Sequence, residues 1–213
     1  MQGVKTPTKP RAFGLAALIA SASLLVLTHF ATAMVVVQRD FPELVARAEQ
    51  IVVGTVSDIT ESVDSSGMPA TFVTFSDLTV LKGDAGATLT LRFAGGRADG
   101  YAVHVSDMPT FALGEQAVLF VAGNGRDVCP LVGVWQGRFR VRLDAERGTE
   151  VIDNHEGKPV IGLAGRKLHV ATRRAEGSSA SEPSASSPAV TLDEFRQLIA
   201  DEMAHPQAAT SSP

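Results

Sequence analysis

Between Ile51 and Leu91 the chain reads IVVGTVSDITESVDSSGMPATFVTFSDLTVLKGDAGATLTL. Short apolar runs separated by Gly, Ser and Asp clusters predict three strands joined by tight turns. The first runs from Ile51 to Thr60, and Gly54 inside it marks a bulge or a close backbone approach. Asp64-Ser65-Ser66-Gly67 and Lys82-Gly83-Asp84 are the two turns. On the strand between them Val73 and Phe75 share one parity, while Leu78 and Val80 share the other. Side chains alternate faces with period two, so this slip requires an extra residue near Ser76 or Asp77, and with it a bend.

The alternation continues through Leu89, Leu91 and Phe93 to a Gly95-Gly96 break. A fourth strand follows at Tyr101, Val103 and Val105, with Phe111 in the next connection as a lid. Ala117 to Ala122 is an unbroken apolar run, the signature of a strand buried on both faces. Asn124-Gly125 predicts a hairpin turn, and Leu131 to Leu143 a long return strand. On that strand Trp135, Phe139, Val141 and Leu143 face one way, and Gln136, Arg138, Arg140 and Arg142 the other. Val151 to Leu163 adds an edge strand and a turn at Gly157-Lys158-Pro159.

Two helical patterns flank the strands. Asp40 to Gln50 has an N-cap Asp40, Pro42 in the first turn and Glu43 completing a capping box, with Phe41, Leu44, Val45 and Ala48 on one face. Thr191 to Met203 repeats the device with Thr191 and Glu194, and its stripe is Leu192, Phe195, Leu198, Ile199 and Met203. A helix this short is marginal alone, so its stripe packs on the strands or on a partner. The expected fold is mostly β: a small antiparallel OB-type Greek-key barrel with a short N-terminal helix and a tethered C-terminal helix. A β-sandwich is the alternative.

Outside this domain the composition changes. Lys5, Lys9 and Arg11 precede an apolar run from Phe13 to Thr28, and Ala31-Thr32-Ala33 forms an A-x-A site. Residues 1–33 therefore read as a secretory signal peptide cleaved before Met34, with an uncleaved N-terminal anchor in the inner membrane as the rival. The chain is thereby expected to be exported, to a periplasmic or extracellular location. Residues 34–175 form the barrel domain, 176–190 a disordered Ser/Pro/Ala-rich linker, 191–204 the C-terminal helix and 205–213 a disordered tail.

Charge and side-chain chemistry narrow the function. The chain has 19 Lys and Arg against 23 Asp and Glu. Without the three leader cations 16 remain against 23, a net charge of −7, which argues against nucleic acid as a partner. The single Cys129 excludes an intrachain disulfide and, beside Val128 and Leu131, reads as a small buried hydrophobe. Asp153, His155 and Glu156 lie close in sequence, but there is no H-E-x-x-H and no cysteine pair at ligand spacing. No G-x-S-x-G, G-x-G-x-x-G or P-loop pattern occurs. No enzyme activity, metal or cofactor is therefore expected.

The order FPELVARAEQIVVGTV, TFSDLTVLKGD, TLRFAGG, FALGEQAVLFVAGNG, VGVWQGRFRV resembles an uncharacterised family of exported bacterial OB-fold-like proteins, over Asp40 to Leu143 with a weaker echo in LDEF. AEQIVVGTV followed by LKGD is also distantly similar to the netrin-like module of tissue inhibitors of metalloproteinases. That likeness implies a protease inhibitor, but Met34 stands where those inhibitors place a zinc-chelating cysteine. The sequence thus predicts a non-enzymatic binding module for a protein or an anionic envelope polymer, with inhibition of an exported protease, without zinc chelation, as the alternative. The candidate contact residues are Arg138, Arg140 and Arg142 with Gln136 at the end of their row, and Phe195, Leu198 and Ile199 on the C-terminal helix. The arginine row reads either as such a contact or as a solvated face paired with local acids.

Overall fold

The computed structural model describes residues 37–171 and 188–206. The proposed leader, residues 172–187 of the domain end and linker, and residues 207–213 of the tail lie outside the described residues. Among the described residues no helix is long and apolar enough to cross a membrane.

The fold is built from strands. Helix α1 (Phe41–Arg47) leads into β1 (Gln50–Val63), β2 (Pro69–Lys82), β3 (Leu89–Ala94), β4 (Gly96–Ala98), β5 (Tyr101–Val103), β6 (Gln116–Val121), β7 (Arg138–Asp144), β8 (Thr149–Asp153), β9 (Val160–Ala164), β10 (Lys167–Val170) and helix α2 (Leu192–Ala204). Six strands form one antiparallel sheet in the order β3-β2-β1-β6-β7-β8, and β9-β10 and β4-β5 are separate hairpins. The sheet is open among the described residues: β3 and β8 end it, and the closed barrel expected from the sequence does not form.

Each face of the sheet carries its own core. On one, Ile51, Val53, Val118, Phe120, Phe139 and Ile152 pack against α1, α2 and Val160. On the other, Val52, Val56, Val73, Phe75, Leu91, Phe93, Leu119 and Cys129 are covered by Leu131, Met108 and Phe111. β6 serves both, with Val118 and Phe120 pointing to one core and Ala117, Leu119 and Val121 to the other. Its continuous apolar run is the consequence.

The two long strands bend where the parity slip places the bend. The β1-β2 register shifts between Val53 and Thr55, and Asp77 lies in the left-handed region at φ 52°. Gly54 sits opposite this bulge, where an added Cβ would lie 2.6 Å from Leu78 Cδ2. A second shift between Val56 and Asp58 brings Ile59 back to the core face shared by Val56.

Several elements differ from the sequence reading. Tyr101 to Val103 is not a stave of the main sheet but half of the small β4-β5 hairpin, folded over β1 and β2 after Gly95 and Gly96 take φ values of 95° and 139°. The Asn124-Gly125 turn is part of a longer loop. The long return strand is interrupted by a 3-10 turn at Val134–Gly137, entered through Gly133 and Val134 at φ 65° and 61°. Before it Leu131 makes an isolated bridge with Val121 of β6, and the continuous ladders with β6 and β8 begin at Arg138 and Arg140.

The flanking helices dock as capped amphipaths. Both capping boxes are present, Asp40 with Glu43 and Thr191 with Glu194. Phe195 and Ile199 are fully buried, and Phe195 contacts Phe41, Phe120 and Phe139 at ring-centroid separations of 5.7, 6.5 and 4.9 Å. Val190, which the sequence reading assigns to the linker, is buried and donates to the Val160 carbonyl while accepting from the Ile152 amide.

Candidate functional site

The arginine row is taken up by local acids. Arg138 is buried and paired with Glu115, whose other oxygen lies 3.6 Å from Arg140. Arg142 Nε donates to Asp153 at 2.9 Å. The Arg138 guanidinium lies 4.7 Å above the Phe111 ring, and its Nε makes no hydrogen bond among the described residues. Gln136 is not at the end of this row. It is buried in the 3-10 turn, where its carbonyl accepts from the Arg39 amide at 2.7 Å and its NH₂ donates to the Val37 carbonyl at 3.0 Å. The solvated-face reading therefore accounts for Arg140 and Arg142, whereas Arg138 is a buried link.

The C-terminal helix likewise turns its stripe inward. Phe195 and Ile199 are inside the first core and so are not displayed to a partner, whereas Leu198 packs against that core and stays half-buried.

The loops present something different. A cleft of about 440 Å³ opens on the second core, between the β1-β2-β3 sheet, the β4-β5 hairpin and the loop from His104 to Phe111. Ile59, Val73, Phe93, Met108 and Phe111 make its floor. Phe111 packs on Phe75 and Phe93 at 5.5 and 5.3 Å, so the expected lid is a fixed wall. The Thr71 hydroxyl donates to the Gly95 carbonyl at 2.8 Å and holds the start of the overhanging hairpin. Glu61, Arg97 and His104 stand at the rim, exposed, and make no ion pair or side-chain hydrogen bond among the described residues.

No family model, curated protein or solved structure matches this chain.

In two further clefts the inward polar groups are engaged, while Arg47 at the first and Gln38 and Lys167 at the second are exposed. Between α1 and α2, a space of about 580 Å³ is lined by Val45, Lys82, Arg166 and Met203. There Lys82 Nζ donates to the Val45 carbonyl at 2.7 Å, and Arg166 Nε to Asp40 at 2.6 Å. Beside the 3-10 turn, about 610 Å³ is bounded by Trp135, Gln136, Asn154 and His155. Trp135 stacks on His155 with 3.8 Å between ring centroids, and Asn154 Oδ1 accepts from the Glu156 and Lys158 amides of its own turn.

The polar residues weighed for chemistry are also engaged structurally. Asp153 holds Arg142, His155 holds Trp135 and Glu156 pairs with Lys158 at 2.7 Å. Among the described residues no three His, Cys, Asp or Glu side chains gather as a metal site would require. Cys129 lies in the second core, and burial pushes its thiol up to about 11, where a thiolate is scarce at neutral pH. Glu61, Arg97 and His104 were not singled out by sequence, since they come from three separate segments. The Gly95-Gly96 break was the available signal that the chain turns back over its own sheet there.

Proposed function

We propose that this protein is an exported, non-enzymatic binding module that engages a protein partner at the cleft between the β4-β5 hairpin, the His104–Phe111 loop and the sheet. One observation carries the reading: this cleft combines an apolar floor with charged rim groups that make no ion pair or side-chain hydrogen bond among the described residues. That pairing of an apolar body with a few convergent polar groups is the usual construction of a binding site. The side chains proposed for contact from sequence are committed to the fold instead, as Arg138 is to Glu115 and Phe195 to the first core. Export rests on the leader pattern of residues 1–33.

A photo-cross-linking residue at Thr110, on the cleft rim, is expected to capture a discrete protein in intact cells, and the same residue at exposed Ala200 of α2 is not. Ala102→Trp, which fills the mouth, should abolish capture from Thr110 with an unchanged melting temperature. Equal capture from both positions, or capture indifferent to Ala102→Trp, would remove the cleft from the account.

A further inference from the structure

β1 is fourteen residues long, but its two edges are unequally covered. β2 pairs with it from Ile51 to Val63, whereas β6 pairs only from Gln50 to Thr55, with Gly114 and Glu115 extending the contact to Val56. Beyond that point no strand among the described residues pairs with this edge. In an antiparallel pair, residues alternate between bonding one neighbour and facing away from it. The Asp64 amide bonds the Met68 carbonyl at the turn, which places Ser62-Ala70, Thr60-Phe72 and Asp58-Thr74 as the bonded pairs. Pro69, which has no amide hydrogen, falls opposite Val63 in a non-bonded pair, as this phase requires.

The N–H and C=O of Ile59 and Glu61, and the N–H of Val63, therefore point outward. Among the described residues no backbone group meets them. The Val63 carbonyl takes only the Ser62 hydroxyl, at 3.3 Å. Asp58, Thr60, Glu61, Ser62 and Val63 are all exposed. The β3 edge of the same sheet shows what closure looks like. There Asn124 accepts from the Arg92 amide at 3.0 Å and donates to the Thr90 carbonyl at 2.8 Å, and the Ala94 amide bonds Val128. One edge is sealed by a loop and the other is bare.

The bare edge borders the cleft, because the side chains of Ile59 and Glu61 line it. Resting on the cleft reading above, we propose that the partner contributes an extended segment that adds as a strand along Ile59–Val63, placing an apolar side chain in the cleft and a basic one against Glu61. Charge selects this occupant. Asp58 and Glu61 make the edge acidic, and neither has an ion-pair partner among the described residues. A second copy pairing antiparallel about Glu61 would set like charges directly opposite each other, which is destabilising, whereas Lys or Arg there is favourable.

The test uses the full ¹⁵N-labelled chain and three eight-residue probes: Val-Thr-Lys-Thr repeated twice, which alternates Val and Lys along one face (Val-Lys), the same peptide with Glu for Lys (Val-Glu), and Val-Lys with its Val and Lys backbone nitrogens methylated. Val-Lys should bind and slow hydrogen exchange of the Ile59, Glu61 and Val63 amides by about tenfold or more. Val-Glu should bind about tenfold more weakly, and the methylated peptide, deprived of alternate donors, should not bind. Glu61→Lys should reverse the preference between the two charged probes. Glu61→Pro should abolish binding, and it leaves the β1-β2 bonds intact because this amide faces outward.

Absence of Val-Lys binding, equal binding of the methylated probe, or unprotected edge amides in the complex would overturn the proposal. So would amides already protected in the free chain, which would mean that another part of the chain covers them, or a dimer protecting the same three. If Val-Lys instead perturbs His104 and Met108 and leaves the edge amides unchanged, strand addition fails while the cleft reading stands. If edge protection persists in Ala102→Trp, strand addition stands without the cleft.

Discussion

Gly54 shows how one missing Cβ permits a bend. Its neighbours Leu78 and Phe75 occupy the space a side chain would need, at 2.6 and 3.2 Å from the ideal Cβ, and Leu78 is held there by the Asp77 bulge. Gly54→Ala is therefore expected to destabilise by about 1–3 kcal/mol, as overpacking does, with Leu78→Ala recovering part of the loss when the two are combined. Chemical denaturation of the three variants measures it. His155 supports a second expectation. Covered on one side by Trp135, its imidazole is pushed below the usual 6.5 by desolvation, opposed by Glu156 and assisted by Lys158 and Arg138. A depressed histidine pKa means that the folded state resists protonation, so this contribution to stability is intact above pH 6.5 and is lost as pH falls from there toward the folded value. Trp135 is the chain's one tryptophan, so its emission reports the pair. Its fluorescence should drop on acidification with a midpoint below 6.5, and His155→Gln should remove that transition. A midpoint at or above 6.5 would contradict the assignment.

Elements were legible wherever local pattern decides them. The Asp40-Glu43 and Thr191-Glu194 spacings specify helix starts, the parity slip at Ser76-Asp77 specifies a bulge, and the apolar run of β6 specifies a strand with cores on both sides. What was not legible depends on partners distant in sequence. Nothing in Arg138 announces that Glu115, 23 residues earlier, will bury it. Alternation through Val134 to Leu143 conceals a 3-10 turn, because Gly133 and Val134 adopt left-handed conformations that the apolar pattern does not encode. Barrel closure is a question of which edges meet, and period-two patterning is silent on it. The docking of α2 was open for the same reason, and the structure answers it with Phe195 at the centre of the first core. Phe195→Ala is expected to destabilise the whole fold by about 3–5 kcal/mol, with loss of the α2 signal and of strand signal in one transition. Selective loss of helix at unchanged strand stability, seen by circular dichroism across a urea titration, would instead make α2 a detachable appendage.

The two cores lie on opposite faces of one sheet, and the link between sheet and overhang is polar. Glu115 follows the loop that walls the cleft, and from there it receives Arg138 at the start of β7 and approaches Arg140 beside it. Arg138 continues the link by lying over Phe111, which rests on Phe75 and Phe93. The cleft wall is thus anchored through a buried ion pair as well as through the Gly114 and Glu115 backbone bonds to Val56. Removing one partner of such a pair strands the other charge in a dry site, so Glu115→Gln and Arg138→Ala should each destabilise by about 3–5 kcal/mol. Arg140→Ala, at an exposed position 3.6 Å from the same carboxylate, should change stability by no more than about 1 kcal/mol. Replacing both Arg138 with Met and Glu115 with Leu should restore much of the stability lost in either single variant, since no charge is then left buried. The double replacement also separates the two roles of the link. If it serves folding alone, the cleft of that variant should capture its partner as the native chain does. If the cation over Phe111 also sets the wall, the variant should fold with near-native stability yet show faster exchange in the Met108–Leu113 amides and weaker capture from Thr110. Equal stability of Glu115→Gln and the native chain would show that the pair contributes nothing and that the wall is held by Phe111 packing.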